Sequence, residues 1–334
     1  MSEKELPIIL LHNIDLTWDA PDLKNAVKEV NILEREVLKQ GHTVKNTPLF
    51  DGNLRLLLSE IDPEKHIVLN WCEGIPGKPR SEAAVVKALA SMNFIYTGSE
   101  ADVIEKSWDK PKIKKILEEN KISTPRWKIY DKDFCPEWNT FPAIVKPALE
   151  HCSYGVTGES VVMERAQLEK RVRFVLENFN GPALVEEFID GREFHVSVWG
   201  NGKIEMLPPV EMDFTKCANF RERLCTYDSK FDPESNLYNK IELVVPAALT
   251  EEENKELETV AKQAYRASGC RDYARLDIRS LNGTFFVLDI NPNPDISYET
   301  SMAYAAEKAG YSYGAMISRL IHFACLRHPR FSKC

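Results

Sequence analysis

Residues 273–291 read YARLDIRSLNGTFFVLDIN. Two apolar runs flank Asn282–Gly283, a dipeptide that accepts the positive φ angles of a tight two-residue turn, so the segment is expected to fold as an antiparallel hairpin. Side chains on a strand alternate between faces. Asp289 and Asn291 therefore share one face, and Arg275 shares one with Asp277. Two carboxylates, an amide oxygen and a guanidinium can thus converge on one side of the hairpin. Oxygen donors at this spacing suit Mg2+, a hard cation that takes one or two carboxylates plus phosphate oxygens. From the hairpin alone, a simple strand-end capping role for Asp289 and Asn291 is equally open.

The first hundred residues alternate strand and helix patterns. PIILL (7–11), HTVKNTPL (42–49), HIVLNWCEG (66–74) and FIYTG (94–98) read as strands, with helices over 21–40 and SEAAVVKALASMN (81–93). That order predicts a parallel α/β sheet. From 107 to 190 the pattern changes to a small α+β unit. It holds a basic helix KPKIKKILEEN, strands TPRWKIY and FPAIVKP, a polar loop HCSYGVTGES, a helix near 164–179 and a strand ALVEEFI. A β region from 190 gives way to an irregular stretch over 211–242, and loops that long usually carry function. Thr250, Glu253 and Gly269 then mark the cap, first turn and end of a helix. The last segment, 300–327, reads as mostly helical.

The bulk numbers set limits. A chain of 334 residues suits two or three domains, and 43% hydrophobic with 28% charged residues is ordinary globular composition. A net charge of −8 disfavours nucleic acid as a partner. The eight cysteines include no C-x-x-C pair, which argues against a zinc site and for reduced thiols. The first apolar run is too short for a signal peptide and no run approaches a membrane span. A cytoplasmic protein with no membrane partner is therefore expected.

Three more segments carry candidate chemistry. Lys146 ends the apolar strand FPAIVKP, where a lysine can reach a phosphate or snorkel to solvent. The loop 150–158, EHCSYGVTG, can lay backbone N–H groups over phosphate or merely turn. In ALVEEFIDGREF, Glu186, Glu187 and Glu193 can hydrogen-bond a base and a ribose or form a solvated acidic edge. The histidines at 12, 42, 66, 195 and 322 read as structural. His151, in the polar loop, is the one placed to touch substrate.

Taken in order, IVKP, the small-residue loop, VEEFIDGREF, R-L-D and D-I-N-P-N-P resemble the ATP-grasp superfamily, and more closely the D-alanine–D-alanine ligases and their relatives. EGIPGKPRSEAAVV, YTGSEADVIEKSWDK and YDSKF extend the resemblance over essentially the whole chain. It implies an ATP-grasp fold behind an N-terminal Rossmann-like parallel α/β domain. The expected units are residues 1–105, a central subdomain over 106–190, and a C-terminal subdomain over 191–334 with an active-site loop at 211–242. It also implies ATP with two Mg2+ ions (Mn2+ as an alternative), small amino-acid-like substrates, and a homodimer formed through the first domain.

The resemblance assigns roles by position. Lys110 and Lys146 contact the phosphates or flank the adenine. Glu186 and Glu187, with the backbone near Ile189, form the adenine pocket, and Glu193 holds the ribose. Asp277, Asp289 and Asn291 bind the metals. Arg275 stabilises a tetrahedral intermediate, Lys230 reaches the γ-phosphate as the long loop closes, and Ser153 joins them as a catalytic residue. The implied chemistry is amide formation through an acylphosphate, with loss of ADP and phosphate.

Several positions depart from the pattern of the family. The usual Ser-Ser-Val-Gly loop reads Cys152-Ser153-Tyr154-Gly155, and Phe231 replaces a Tyr after the long-loop lysine. Asp289 replaces a Glu, and the Asn motif continues Pro292-Asn293-Pro294-Asp295. Thr300 or Ser301 could supply the hydroxyl that holds an acceptor. Asp295 and Glu299 add negative charge there, which favours an acceptor bearing a cation. Asp15 or Asp19 is the candidate acid for a substrate amino group. The leading expectation is a ligase with substrates other than two D-alanines. The alternatives are a genuine D-alanine–D-alanine ligase, a nucleotide-binding protein without catalysis, and a carboxylate kinase.

Overall fold

The computed structural model describes residues 5–131, 137–226, 235 and 239–332. The first sheet holds β1 (Pro7–Asn13), β2 (Thr43–Leu49), β3 (Ile67–Trp71) and β4 (Ile95–Tyr96) in the order β2-β1-β3-β4, every pair parallel. The alternation of β1 explains its two-sided burial. Ile8 and Leu10 face α1 (Ala20–Lys39) and the C-terminal helix, while Ile9 and Leu11 face the opposite side. Asp19 caps α1 by accepting from the Asp22 amide at 2.8 Å. α2 (Leu54–Leu57), α3 (Glu82–Ser91), α4 (Ala101–Ser107) and α5 (Lys110–Glu119) complete this region.

A second, antiparallel sheet follows: β5 (Trp127–Tyr130), β6 (Ala143–Pro147), β7 (Val161–Val162) and β8 (Ala183–Glu187), ordered β5-β8-β6-β7. α6 (Arg165–Asn178) covers one face through Leu168, Val172 and Val175. The third sheet runs β12-β11-β9-β13-β14, with β10 beside β9. Its members are β9 (Arg192–Trp199), β10 (Glu205–Met206), β11 (Val210–Asp213), β12 (Glu242–Val244), β13 (Tyr273–Leu281) and β14 (Thr284–Asn291). The helices α7 (Glu251–Ser268), α8 (Ser301–Lys308) and α9 (Tyr313–Cys325) pack around it.

The parallel sheet and the hairpin match their sequence expectations, and Asn282 and Gly283 adopt φ 51 and 79. α7 is closed by a capping box between Thr250 and Glu253 and by left-handed Gly269, as its sequence predicts. One boundary differs. The stretch expected to be irregular from 211 begins inside β11, because residues 210–212 pair with β9 and 211–213 with β12. The alternation Val210–Glu211–Met212–Asp213, buried residues alternating with half-buried ones, is a strand pattern hidden in a segment dominated by polar residues downstream.

Candidate active site

The hairpin brings its predicted residues together. Asp277 lies directly across from Asp289, and Arg275 from Asn291. The register shifts between Asp277 and Ile278, leaving Leu288 as the extra residue on β14, and this puts Asp289 and Asn291 on the same face as Asp277. Arg275 forks onto Asp277, with Nε 2.8 Å from Oδ1 and a terminal nitrogen 3.1 Å from Oδ2. Asn291 donates its amide nitrogen to Asp277 Oδ2 at 3.3 Å, which turns its carbonyl oxygen away from that carboxylate. Asp277, Asp289 and Asn291 form a hard-oxygen set of the kind Mg2+ takes while keeping room for phosphate oxygens and water.

Lysines ring this set. Lys110, at the start of α5, donates to the Glu150 carbonyl at 2.5 Å and stands 3.7 Å from Asp289 Oδ1. Lys146, next to last in β6, pairs with Glu186 at 2.6 Å, while Lys114 pairs with the other Glu186 oxygen at 2.5 Å. Glu186 is 1% exposed. Burial alone would raise its carboxyl, but Lys114 and Lys146 outweigh burial and hold it at about 2. Burial pushes Lys114 down against the pull of Glu186. At Lys146 the same burial is overcome, and its ammonium is raised.

This geometry changes two sequence assignments. Glu186 is the counter-ion of two buried lysines rather than an open acceptor at a base edge. Glu187 faces the other way and pairs with exposed Arg126 at 3.0 Å, because neighbouring residues on β8 take opposite faces. Glu193 is also engaged: Arg279, across from it on β13, donates Nε to Glu193 Oε2 at 2.8 Å and a second nitrogen to the Ile189 carbonyl at 2.6 Å. Arg279 also donates to the Arg223 carbonyl and lies over the Phe188 ring.

The two covering loops meet. Ser153 Oγ donates to the Cys225 carbonyl at 2.6 Å, with Cys152 and Ser153 both in the left-handed region at φ 53 and 60. Gly155 sits beneath them, and a Cβ there would come within 2.5 Å of the Phe179 ring. Lys230 and Phe231 lie outside the described residues. His151 packs against Trp108 in a tilted contact at 4.2 Å and bonds the Ser107 carbonyl, with Asp289 in electrostatic reach. Burial, followed by Lys110, lowers it to about 4. Thr300 caps α8 and donates to the Ser297 carbonyl at 2.9 Å. Asp295 is held in a local turn by Ser297, and Glu299 is exposed.

A cavity of about 400 Å3 opens beside the site, lined by Asp15, Trp18, Glu73, Lys78, Arg80 and Trp108 among others. Asp15 accepts from the Gly77 amide at 2.8 Å at this cavity, whereas Asp19 is occupied as a helix cap. Desolvation raises the Glu73 carboxyl and Asp295 adds to the effect. Glu82, bonded by Asn293, is raised to about 7, mainly by desolvation.

Four residues at the site had no functional role assigned from the sequence. Lys114 hides in a basic helix, where its inward face shows only from the 3.6-residue period. Arg279 follows Asp277 by two residues and reads as an ordinary exposed strand position. His195, read as structural, has Nε2 3.8 Å from Asp277 Oδ1 and Nδ1 2.8 Å from Ser301 Oγ. Cys225 lies in the covering segment.

Residues 116–322 match the family model described as D-ala D-ala ligase C-terminus. A protein of Sinorhizobium fredii named Uncharacterized protein y4sG is 33% identical over 269 residues, 78% of this chain and 75% of that protein. A D-alanine–D-alanine ligase of Marinomonas sp. is 28% identical over 313 residues, 89% of this chain and 92% of that protein. The fold is shared with a solved D-alanine–D-alanine ligase from Bacillus anthracis complexed with ATP, at a TM-score of 0.71 and 20% identity, over 97% of this chain and 98% of that one. Among the described residues no helix is long and apolar enough to cross a membrane.

Proposed function

Because the chain belongs to the D-ala D-ala ligase C-terminus family, we propose that it is an ATP-dependent carboxylate–amine ligase whose substrates are not two D-alanines. The observation that carries the reaction class is the meeting of Asp277, Asp289 and Asn291 within reach of Lys110 and backed by the Lys146–Glu186–Lys114 triad. Asp277, Asp289 and Asn291 would hold two Mg2+ ions. When bound there, Mg2+ supplies neutralisation of the phosphate charge.

The chain's own groups account for the rest. Lys110 and Lys146 add positive charge along the phosphates, with Lys146 fixed by Glu186. The backbone from Glu187 to Ile189 receives the adenine, and Glu193 the ribose. Arg275 stands where an oxyanion develops as the amine attacks the acylphosphate. The loops at Ser153 and Cys225 exclude water from that intermediate, which water would otherwise hydrolyse. The same reading divides the chain at 1–105, 106–190 and 191–334, with the lid starting after Asp213.

Substrate choice rests on charge. Asp15 and Glu73 line the cavity, with Asp295 and Glu82 in electrostatic reach of Glu73, which supports a substrate or acceptor that carries a cation; Lys78 and Arg80 in the same lining suit a carboxylate on that molecule. The second reading, a genuine D-alanine–D-alanine ligase, is favoured by the names of several relatives at 24–28% identity.

Phosphate release from Mg·ATP, with mass spectrometry of products, separates the two. Turnover with a cationic amino acid or diamine, and none with D-alanine alone, supports the proposal. A D-alanine dipeptide from D-alanine alone replaces it with the second reading. Nucleotide binding without turnover on any acid–amine pair rejects both.

A further inference from the structure

Glu193 and His195 project from the same face of β9, two residues apart, and Cys225 meets them from the segment that covers the site. One ligand atom from each lies within 4.8 Å of the other two. A carboxylate oxygen, an imidazole nitrogen and a thiol sulfur form a mixed donor set. Mg2+ takes hard oxygens and does not seek sulfur, whereas Zn2+ takes sulfur, nitrogen and oxygen together in tetrahedral sites.

The surroundings are those of a built site. Glu193 and His195 are 5% and 6% exposed. Ser301 Oγ is 2.8 Å from His195 Nδ1, an outer bond that fixes the ring and aims Nε2 toward Asp277 and the cluster. Arg279 holds Glu193 through Oε2 and fixes the carboxylate in place. Asp277 Oδ1 lies 3.8 Å from His195 Nε2 but is held by Arg275 Nε at 2.8 Å, so the fourth position is left to water. The carboxylates of Glu193 and Asp277, with a Cys225 thiolate, offset the guanidinium groups of Arg275 and Arg279 nearby. Zinc bonds of about 2.0–2.3 Å at tetrahedral angles set ligand atoms about 3.3–3.8 Å apart, so the cluster closes on an ion through small rotamer shifts.

We propose that Glu193, His195 and Cys225 bind Zn2+ in the nucleotide-free protein, with Cys225 releasing its thiol proton to solvent. Bound zinc ties the covering segment to β9. This consequence rests on the ligase reading: zinc engages Glu193, the acid assigned to the ribose, so Mg·ATP and Zn2+ exclude one another. Neither can then change the other's affinity without the reverse effect.

The test uses the full-length protein with Co2+ as the spectroscopic probe and Zn2+ for affinity. One equivalent of Co2+ is expected to give a thiolate-to-metal charge-transfer band that Zn2+ abolishes. Cys225→Ser is expected to remove the band, and His195→Ala to weaken Zn2+ binding by at least about tenfold, while Cys152→Ser keeps both. Circular dichroism and the thermal shift given by Mg·ATP check that each variant is folded. No band at one equivalent, or a band that survives in folded Cys225→Ser, overturns the site. A band that persists under saturating Mg·ATP keeps the zinc site and removes Glu193 from the ribose. An Mg·ATP thermal shift with no cobalt band keeps the ligase reading and rejects the metal.

Discussion

Arg279 and Glu193 sit directly opposite each other on neighbouring strands, both buried, with Arg279 Nε 2.8 Å from Glu193 Oε2. The pair lowers the Glu193 carboxyl despite burial, which alone would raise it. A guanidinium is thus built into the wall of the proposed nucleotide pocket. Arg279→Met would leave Glu193 buried without its partner, and a loss of about 3–5 kcal/mol is expected in urea unfolding. The double variant Arg279→Met, Glu193→Gln should regain much of that. A loss under about 1 kcal/mol in the single variant would show that water reaches Glu193.

Glu186 balances two ammonium groups at once. Glu186→Gln is expected to cost about 3–5 kcal/mol, because two buried lysines lose their counter-ion. Glu187→Gln, which removes only an exposed pair with Arg126, should cost about 0–1 kcal/mol. Equal losses in the two variants would contradict the burial difference between them.

Buried groups should set the acid response in two pH windows. His151 is lowered from 6.5 to about 4, so between those values the unfolded chain binds the proton and the fold does not. The contribution of His151 therefore falls as pH drops from 6.5 toward 4, while Glu82, raised in the fold to about 7, takes up its proton there and offsets that loss over the same interval. Glu186 is lowered from 4.5 to about 2, so its contribution is present above 4.5 and is lost as pH falls toward 2. Urea midpoints of the parent and of His151→Phe, compared across pH 7 to 4, isolate the histidine: the variant, which keeps an aromatic ring beside Trp108, should lose less stability over that interval than the parent, and equal slopes would show that His151 carries no such contribution.

Asp277→Asn and Asp289→Asn should each lower amine-dependent phosphate release by at least about 100-fold, since each weakens a metal position the phosphates depend on. Asp277→Asn also releases the fork of Arg275, so it is expected to be the more damaging. Activity within a few-fold of the parent in Asp289→Asn would remove that residue from the metal set.

The cap of α7 is a purely local feature. Thr250→Ala breaks a reciprocal capping box and should cost about 1 kcal/mol with no change in nucleotide affinity. Thermal unfolding with and without Mg·ATP reads both quantities.

The sequence by itself determined what depends on short-range pattern. The Asn282–Gly283 turn, the alternation of β1 and β14, and the cap and stop of α7 are each set by residues within a few positions of one another, and the chain folds there as its residues dictate. The Asp289–Asn291 and Arg275–Asp277 pairs were legible from strand alternation, but the two-residue turn alone would set Asp277 opposite Leu288; the register shift at Leu288, which no local pattern announced, is what brings Asp277 opposite Asp289. Tertiary structure decided everything that requires two distant faces to meet. Lys114 became a partner of Glu186 only when α5 docked near the end of β8, 72 positions along the chain. Arg279 reached Glu193 because β13 pairs with β9, and Cys225 reached His195 because the covering segment folds back on that sheet. Burial then changed what those side chains are. A glutamate pattern that reads as an open acidic edge became one buried anion between two lysines and one exposed partner of an arginine, and no local window of sequence records which lysines it will meet.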